Sequence, residues 1–511
     1  RVVVLTRHPG ESDGVRWECD AESSQYTIET VDKPERGTSV TLFLKPADPD
    51  GGMEDFTDPW VLRGLVKRHS DFISYPILLR TLSTDVPPDD TPGADGARGA
   101  EAPLNSMKPI WTRPAADVSD DEYNEFYKHV SHAWSDPLLR LGFKAEGRSE
   151  YQALVFVPAE APRDLYYHAA PFGLQLYARR VMVMERCEEL LPRYLRFIKG
   201  IVDATDLPLH ISRQMLQEHR HVSQIRRWLT RKVLDALGDL QQRDVERYRQ
   251  FWKTFGRVLK EGVGVDSEQR DRLIPRLLFE SSDDPAALTT LAGYVERAQP
   301  DQTEIYYMTG DSREMIELSP HLEAFRERRY EILYLSDPVD ELVVESLREF
   351  DGKRLRSVSK GTPALGGEEE RKAREAELEE TTKQFTTLLE TLRCALDAEV
   401  RAVRLSPRLV DAPACLAGEE FDHSPRLERQ LLKGNGGGPR QRRILEINPR
   451  HPIALRLQAL LAAGQGDTPL FGQCARLLHG YALLAEGSPL TDHAAFIRAL
   501  TEVVTDRLTP A

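Results

Sequence analysis

The chain has 511 residues, 68 basic and 82 acidic, giving a formal net charge of −14. At roughly 150 residues per domain this length predicts about three domains, and the acidic balance excludes a general nucleic-acid binder, whose phosphate contacts need a basic face. No apolar run reaches the ~18 residues of a bilayer-crossing helix, and Cys19, Cys187, Cys394, Cys415 and Cys474 form no C-x-x-C pair, which excludes a membrane span, a disulfide scaffold and a cysteine zinc site.

Arg1 leads directly into Val2-Val3-Val4-Leu5, so the chain reads as a piece cut from a longer protein. Val2 to Thr6 and Arg16 to Cys19 flank turn residues as a hairpin would, and Ser39 to Lys45 alternates as a strand. A helix is expected from Pro59 to Ser70. Residues 85–105 hold prolines, glycines and acids with almost nothing large and apolar, and are read as a linker. Ser119 and Glu122 form a capping box opening a helix through Tyr123, Phe126, Tyr127, Val130 and Trp134. Strand-like runs follow at Tyr151–Val157 and Leu174–Met184, then a helix over Gln224–Leu237. Glu304–Met308 and Glu331–Leu335 flank a helical stretch from Arg313 to Arg328, a strand, helix, strand unit. A long charged helix is expected over Glu368–Val403, and Lys433 to Pro439 has loop composition. Two helices close the chain, Phe471–Ala485 with Leu477, Leu478, Tyr481 and Leu484 in its stripe, and Asp492–Leu508 with Phe496, Ala499, Leu500, Val503 and Val504. Those stripes suit either a partner subunit or packing within the chain.

The only Gly-Lys pair, Gly352-Lys353, lacks the P-loop context, and the Gly436 to Gly438 run lacks a dinucleotide fingerprint. His129 and His132 are three apart with no third ligand nearby, so no metal site is assigned. Gly310-Asp311-Ser312, with His321 downstream, could serve a hydrolase nucleophile, but Ser312 is better placed as a helix N-cap. Arg213 and Gln217, four apart, would share one helix face; a guanidinium beside an amide suits a phosphate, and a solvated arginine is the plain alternative.

Seven colinear segments carry a resemblance: RGTSVTLFL (36–44), VKRHSDFISYPI (66–77), EYNEFYKHV (122–130), the run from Leu176 to Gln217 that includes DATDLPLHISRQMLQ, FWKTFGRVLKEGV (251–263), EFDGKRLRSVSKG (349–361) and ILEINPRHPI (444–453). Together they resemble the ninety-kilodalton heat-shock chaperones in their bacterial form. The resemblance implies an α/β, α+β multidomain fold: residues 1–84 as the C-terminal remnant of a GHKL-type α/β-sandwich ATP-binding domain, 85–105 as linker, 106–362 as an α/β middle domain, and 363–511 as a mainly helical dimerisation domain. It implies a cytoplasmic, ATP-driven stress chaperone, homodimeric through 471–508, binding unfolded or partly folded clients and co-chaperones, with ATP and Mg2+ as cofactors of the intact parent. The family's catalytic glutamate would lie before Arg1, so this chain alone is expected to bind nucleotide weakly and not to turn it over. Thr38 matches the threonine that helps close the adenine pocket, Arg213 the middle-domain arginine contacting the terminal phosphate, and Gln217 its polar companion; His210 stands where the family usually has asparagine. Client contacts are assigned to Leu165, Tyr166, Tyr167, Leu342, Val343, Leu427 and Leu431, any of which could instead be core. The competing readings are a passive dimeric scaffold and a serine hydrolase centred on Ser312.

Overall fold

The structure, a computed structural model, describes residues 1–20, 25–46, 54–80, 102–146, 150–167, 169–207, 220–362, 365–434, 441–466 and 468–508. The opening hairpin forms as its turn residues predict. Strands β1 (Val2–Arg7) and β2 (Gly14–Cys19) pair antiparallel, and β3 (Tyr26–Val31) and β4 (Gly37–Leu42) complete a sheet of order β3-β2-β1-β4. The sequence reading missed β3. Helix α1 (Pro59–His69) starts at Asp58, whose carboxylate accepts from Trp60 N at 2.8 Å.

Most of the expected linker lies outside the described residues, but its end does not float. Leu104 N donates to Ile77 O at 2.8 Å, and the buried Asn105 side chain donates to Ile73 O and Tyr75 O while accepting from Ile77 N. One amide side chain thus satisfies three backbone groups of the segment before the linker.

A second sheet has order β5-β6-β9-β7-β8, from β5 (Pro137–Ala145), β6 (Tyr151–Pro158), β7 (Leu174–Ala178), β8 (Val181–Cys187) and β9 (Lys199–Ala204). The run read as one strand over 174–184 is a hairpin: Arg179 and Arg180 take φ of 51° and 67°, the left-handed pair that turns a strand back on itself. Helix α2 (Asp120–Ser131) has both hydrogen bonds of the capping box, but it ends earlier than expected. His132 is left-handed at φ 57°, so Trp134 lies beyond the helix and is 97% exposed. Helices α3 (Arg220–Arg243) and α4 (Val245–Val265) pack Leu229, Val233, Phe251 and Phe255 against Val155, Leu176 and Val202 of this sheet in the largest core cluster.

The third sheet, of order β11-β10-β13-β12-β15-β14, uses β10 (Phe279–Ser281), β11 (Leu288–Thr289), β12 (Glu304–Thr309), β13 (Leu333–Leu335), β14 (Glu349–Phe350) and β15 (Lys353–Ser357). β12 and β13 pair in parallel, as a strand, helix, strand unit requires. Its crossover is broken into helices 313–317 and 323–327, because Pro320 starts a tight turn capped by Ser319 and has no N–H to continue the ladder.

Helix α5 (Asp340–Ser346) precedes β14, and the long helix α6 (Glu368–Ala395) stops before the expected 403. Val400 and Val403 instead lie in β16 (Val400–Leu405), where β-branched side chains suit a sheet; with β17 (Ala414–Ala417) and β18 (Arg443–Ile447) it forms order β16-β18-β17. Lys433 and Gly434, read as loop, end helix α7 (Pro425–Gly434). Helices α8 (Pro452–Ala462), α9 (Pro469–Ala485) and α10 (His493–Leu508) follow. Gly480 lets α9 and α10 close together, since a Cβ there would stand 2.4 Å from Phe496 Cδ2. Among the described residues no helix is long and apolar enough to cross a membrane.

Candidate functional site

The expected nucleotide residues are unevenly placed. His210, Arg213 and Gln217 lie outside the described residues, between β9 and α3. Thr38 is exposed on β4, its hydroxyl 2.8 Å from that of Thr6 on β1. Before the undescribed segment, Asp203 on β9 is buried and accepts from Trp111 Nε1 at 3.0 Å and Arg180 N at 3.2 Å, which fixes the strand from which it departs.

The apolar candidates divide by burial. Leu165 and Val343 belong to the core cluster and offer no surface here. Tyr166, Tyr167, Leu342 and Leu431 are exposed, and Leu427 is half-buried. The reason is local: consecutive positions on a short helix point about 100° apart, so Val343 of α5 faces the core while Leu342 faces outward. Beneath Tyr166 and Tyr167, Arg196 Nε donates to Leu165 O at 2.7 Å and pairs with Glu261 through two nitrogens, while the Arg257 guanidinium lies 4.9 Å from the Tyr166 ring centre.

Leu342, Leu427 and Leu431 lie on helices tied together at their starts. The Ser424 hydroxyl donates to Glu341 of α5 and accepts from Leu427 N of α7 at 3.1 Å. Lys260 from α4 anchors α5, its Nζ 2.8 Å from Asp337 and 2.7 Å from Asp340. Phe421, immediately before α7, is 95% exposed and was missed; a lone aromatic in GEEFDHS gives no periodic signal.

Behind this face, a charged layer joins the segment up to 361 with the one after 400. The Glu323 carboxylate accepts from the backbone N–H groups of Val410, Asp411 and Ala412 at 2.6 to 3.2 Å. Glu446, fully buried, receives Arg408 Nε at 3.0 Å, Arg404 Nη2 at 2.6 Å and Ser406 Oγ at 2.9 Å. Burial alone would raise its carboxyl, but Arg408 and Arg404 outweigh that and hold it below the ordinary value. Arg408, equally buried, also donates to Val358 O and Gly361 O.

His321 is buried beside this layer. Burial first, then the charge of Arg408, push its pKa down to about 3 from 6.5. A folded value below the unfolded one means the unfolded chain takes up the proton first, so this stability is fully present above about pH 6.5 and is lost as pH falls toward 3. Between pH 7 and pH 5 the loss should be about 2 kcal/mol by proton linkage. Urea unfolding at the two pH values should show it, with a flatter dependence in His321→Gln; an equally steep variant would assign the effect elsewhere.

Ser312 is an N-cap, accepting from Met315 N at 3.3 Å, and His129 and His132 are both exposed. The hydrolase alternative draws support from neither this geometry nor the relatives. The family described as Hsp90 protein matches residues 95–510. The chain is 47% identical over 515 residues to the chaperone protein HtpG of Nocardia farcinica, covering 100% of this chain and 78% of that protein. It is 46% identical to HtpG of Frankia casuarinae, covering 99% and 79%, and 46% identical to HtpG of Mycobacterium leprae, covering 99% and 77%. With a family match over most of the chain and whole-chain identity of this order, the chain belongs to the Hsp90 protein family, as a molecular chaperone of the HtpG type.

Proposed function

We propose that clients are held on the face formed by Leu342 of α5 and Leu427 and Leu431 of α7, with Phe421 at its edge and Tyr166 and Tyr167 as a second contact. The observation that carries this is apolar exposure on two helices pinned together by Ser424 and Glu341. Exposed apolar groups on rigid supports can bury against an unfolded chain without first paying to be ordered. The readiest test is suppression of aggregation of a heat-denatured enzyme. Leu342→Asp with Leu431→Asp should weaken it about tenfold or more, because each aspartate would have to be desolvated against the client; unchanged suppression would remove this face from client holding.

The domain division stays part of this proposal: 1–84, linker 85–105, 106–362 and 363–511. Dimerisation is assigned to 471–508. Leu478 and Ala499 are buried within the chain, whereas Tyr481 and Leu484 of α9 and Ile497, Leu500 and Val504 of α10 are exposed and available to a second copy. Arg213, with Gln217 beside it, is proposed to contact the terminal phosphate of ATP, and Thr38 to border the adenine pocket. The exposed Thr38 hydroxyl at the sheet edge is compatible with that role. ATP with Mg2+ would supply a phosphoryl group whose charge an arginine can stabilise. Arg213 would reach it only when the two domains dock, which would couple hydrolysis to closure of the clamp. A cytoplasmic location and co-chaperone partners complete the reading.

A further inference from the structure

At one end of the second sheet, where β6 ends and β7 and β9 begin, lies a groove of about 490 Å³. Its size is that of a ligand-binding cleft. It is lined by Tyr127 of α2, Lys199 at the start of β9, residues from Pro158 to Asp164, Pro171 and Phe172 before β7, and the turn after α2 that carries Trp134. The rim is charged but wet: Glu160, Arg163, Asp164, Glu185 and Arg186 are all exposed. Lys199 differs. It is half-buried, and burial lowers its pKa while the charge of Asp164 only partly offsets this. Among the described residues no hydrogen bond or ion pair reaches its ammonium. The half-buried ammonium of the groove thus has Asp164 acting on it only at a distance and no described group bonded to it, whereas the rim charges stand in water.

The walls supply the other half of a recognition site. The Phe172 ring is oriented by the Arg193 guanidinium, 5.6 Å from its centre, and the nearly fully exposed Trp134 ring offers an apolar surface with nothing upon it. Tyr166 and Tyr167, just after Asp164 of the groove wall, are also exposed.

We propose that this groove binds an extended peptide segment presenting a carboxylate beside an aromatic side chain, the carboxylate on Lys199 and the ring between Trp134 and Phe172. The inference rests on the client-binding reading and gives it a chemical preference. A charge-assisted pair on a partly desolvated ammonium should favour the acidic peptide over its amide counterpart by about tenfold.

The test uses two end-blocked fluorescent peptides, Gly-Phe-Asp-Phe-Gly and Gly-Phe-Asn-Phe-Gly, titrated with the whole chain and followed by polarisation. The expected result is tighter binding of the aspartate peptide, a preference lost in Lys199→Met and kept in Lys199→Arg, with weaker binding of both peptides by Phe172→Ala. Equal affinity of the wild-type chain for the two peptides, or a preference surviving Lys199→Met, would overturn the assignment. So would displacement of the bound peptide by an equal concentration of acetate, which would mark a small-carboxylate site. Should Lys199→Met fail to fold, the wild-type peptide pair and Lys199→Arg still decide. The Leu342→Asp, Leu431→Asp protein should keep the preference, so failure of the client face and failure of this groove give different results.

Discussion

Arg213→Ala is expected to lower the rate of ATP hydrolysis by about 10³-fold or more, the scale at which an arginine finger stabilises a transferring phosphoryl group. Nucleotide affinity should change little. A contact made only in the docked arrangement contributes to the transition state and not to initial binding, so the loss should appear in kcat. A coupled ATPase assay with an independent nucleotide titration separates the two. Gln217→Ala should show a smaller effect of the same kind, since an amide orients its neighbour without supplying charge. An unchanged rate in Arg213→Ala would take this residue out of the mechanism. A loss confined to nucleotide affinity would make it a binding group.

The second large effect is expected in the charged layer. Arg408→Met should destabilise the chain by about 3 to 5 kcal/mol, the usual consequence of stripping one partner from a buried ion pair. Glu446 would keep Arg404 and Ser406 but lose its one fully buried counter-charge, and the carbonyls of Val358 and Gly361 would lose their donors. The damage should therefore exceed that of Arg404→Met, whose guanidinium is about a third exposed and partly screened by water. Urea unfolding of the two variants side by side measures the difference; equal losses would mean that Arg408 contributes no more than a surface pair. Arg408→Met should also let the His321 pKa rise, because the Arg408 charge is the second cause of its depression. The pH dependence of stability should be shallower in that variant.

Local chemistry was legible where a local rule decides it. The Ser119 and Glu122 box, the Ser312 cap and the strands β12 and β13 follow from short-range hydrogen bonding and short apolar runs, and each formed as read. Reading failed where a single backbone conformation outvoted a longer pattern. His132 ended α2 before Trp134, Arg179 and Arg180 folded one apolar run into two strands, and Pro320 cut the crossover helix. Periodicity sees which side chains are apolar, but not the dihedral angle at which the chain turns.

The sequence by itself determined the family, through seven segments in fixed order. Tertiary structure alone decided which apolar residues face water. Leu342 and Val343 are adjacent and chemically alike, yet one is 55% exposed and the other 1%, because burial depends on which side of α5 meets the core. It also brought Arg408 to Glu446 across 38 residues and Glu341 to Ser424 across 83. Such pairs leave no mark in a linear pattern, since the energy of a charge or a hydroxyl is set by what stands within a few ångströms of it, and that neighbourhood exists only after the chain has folded.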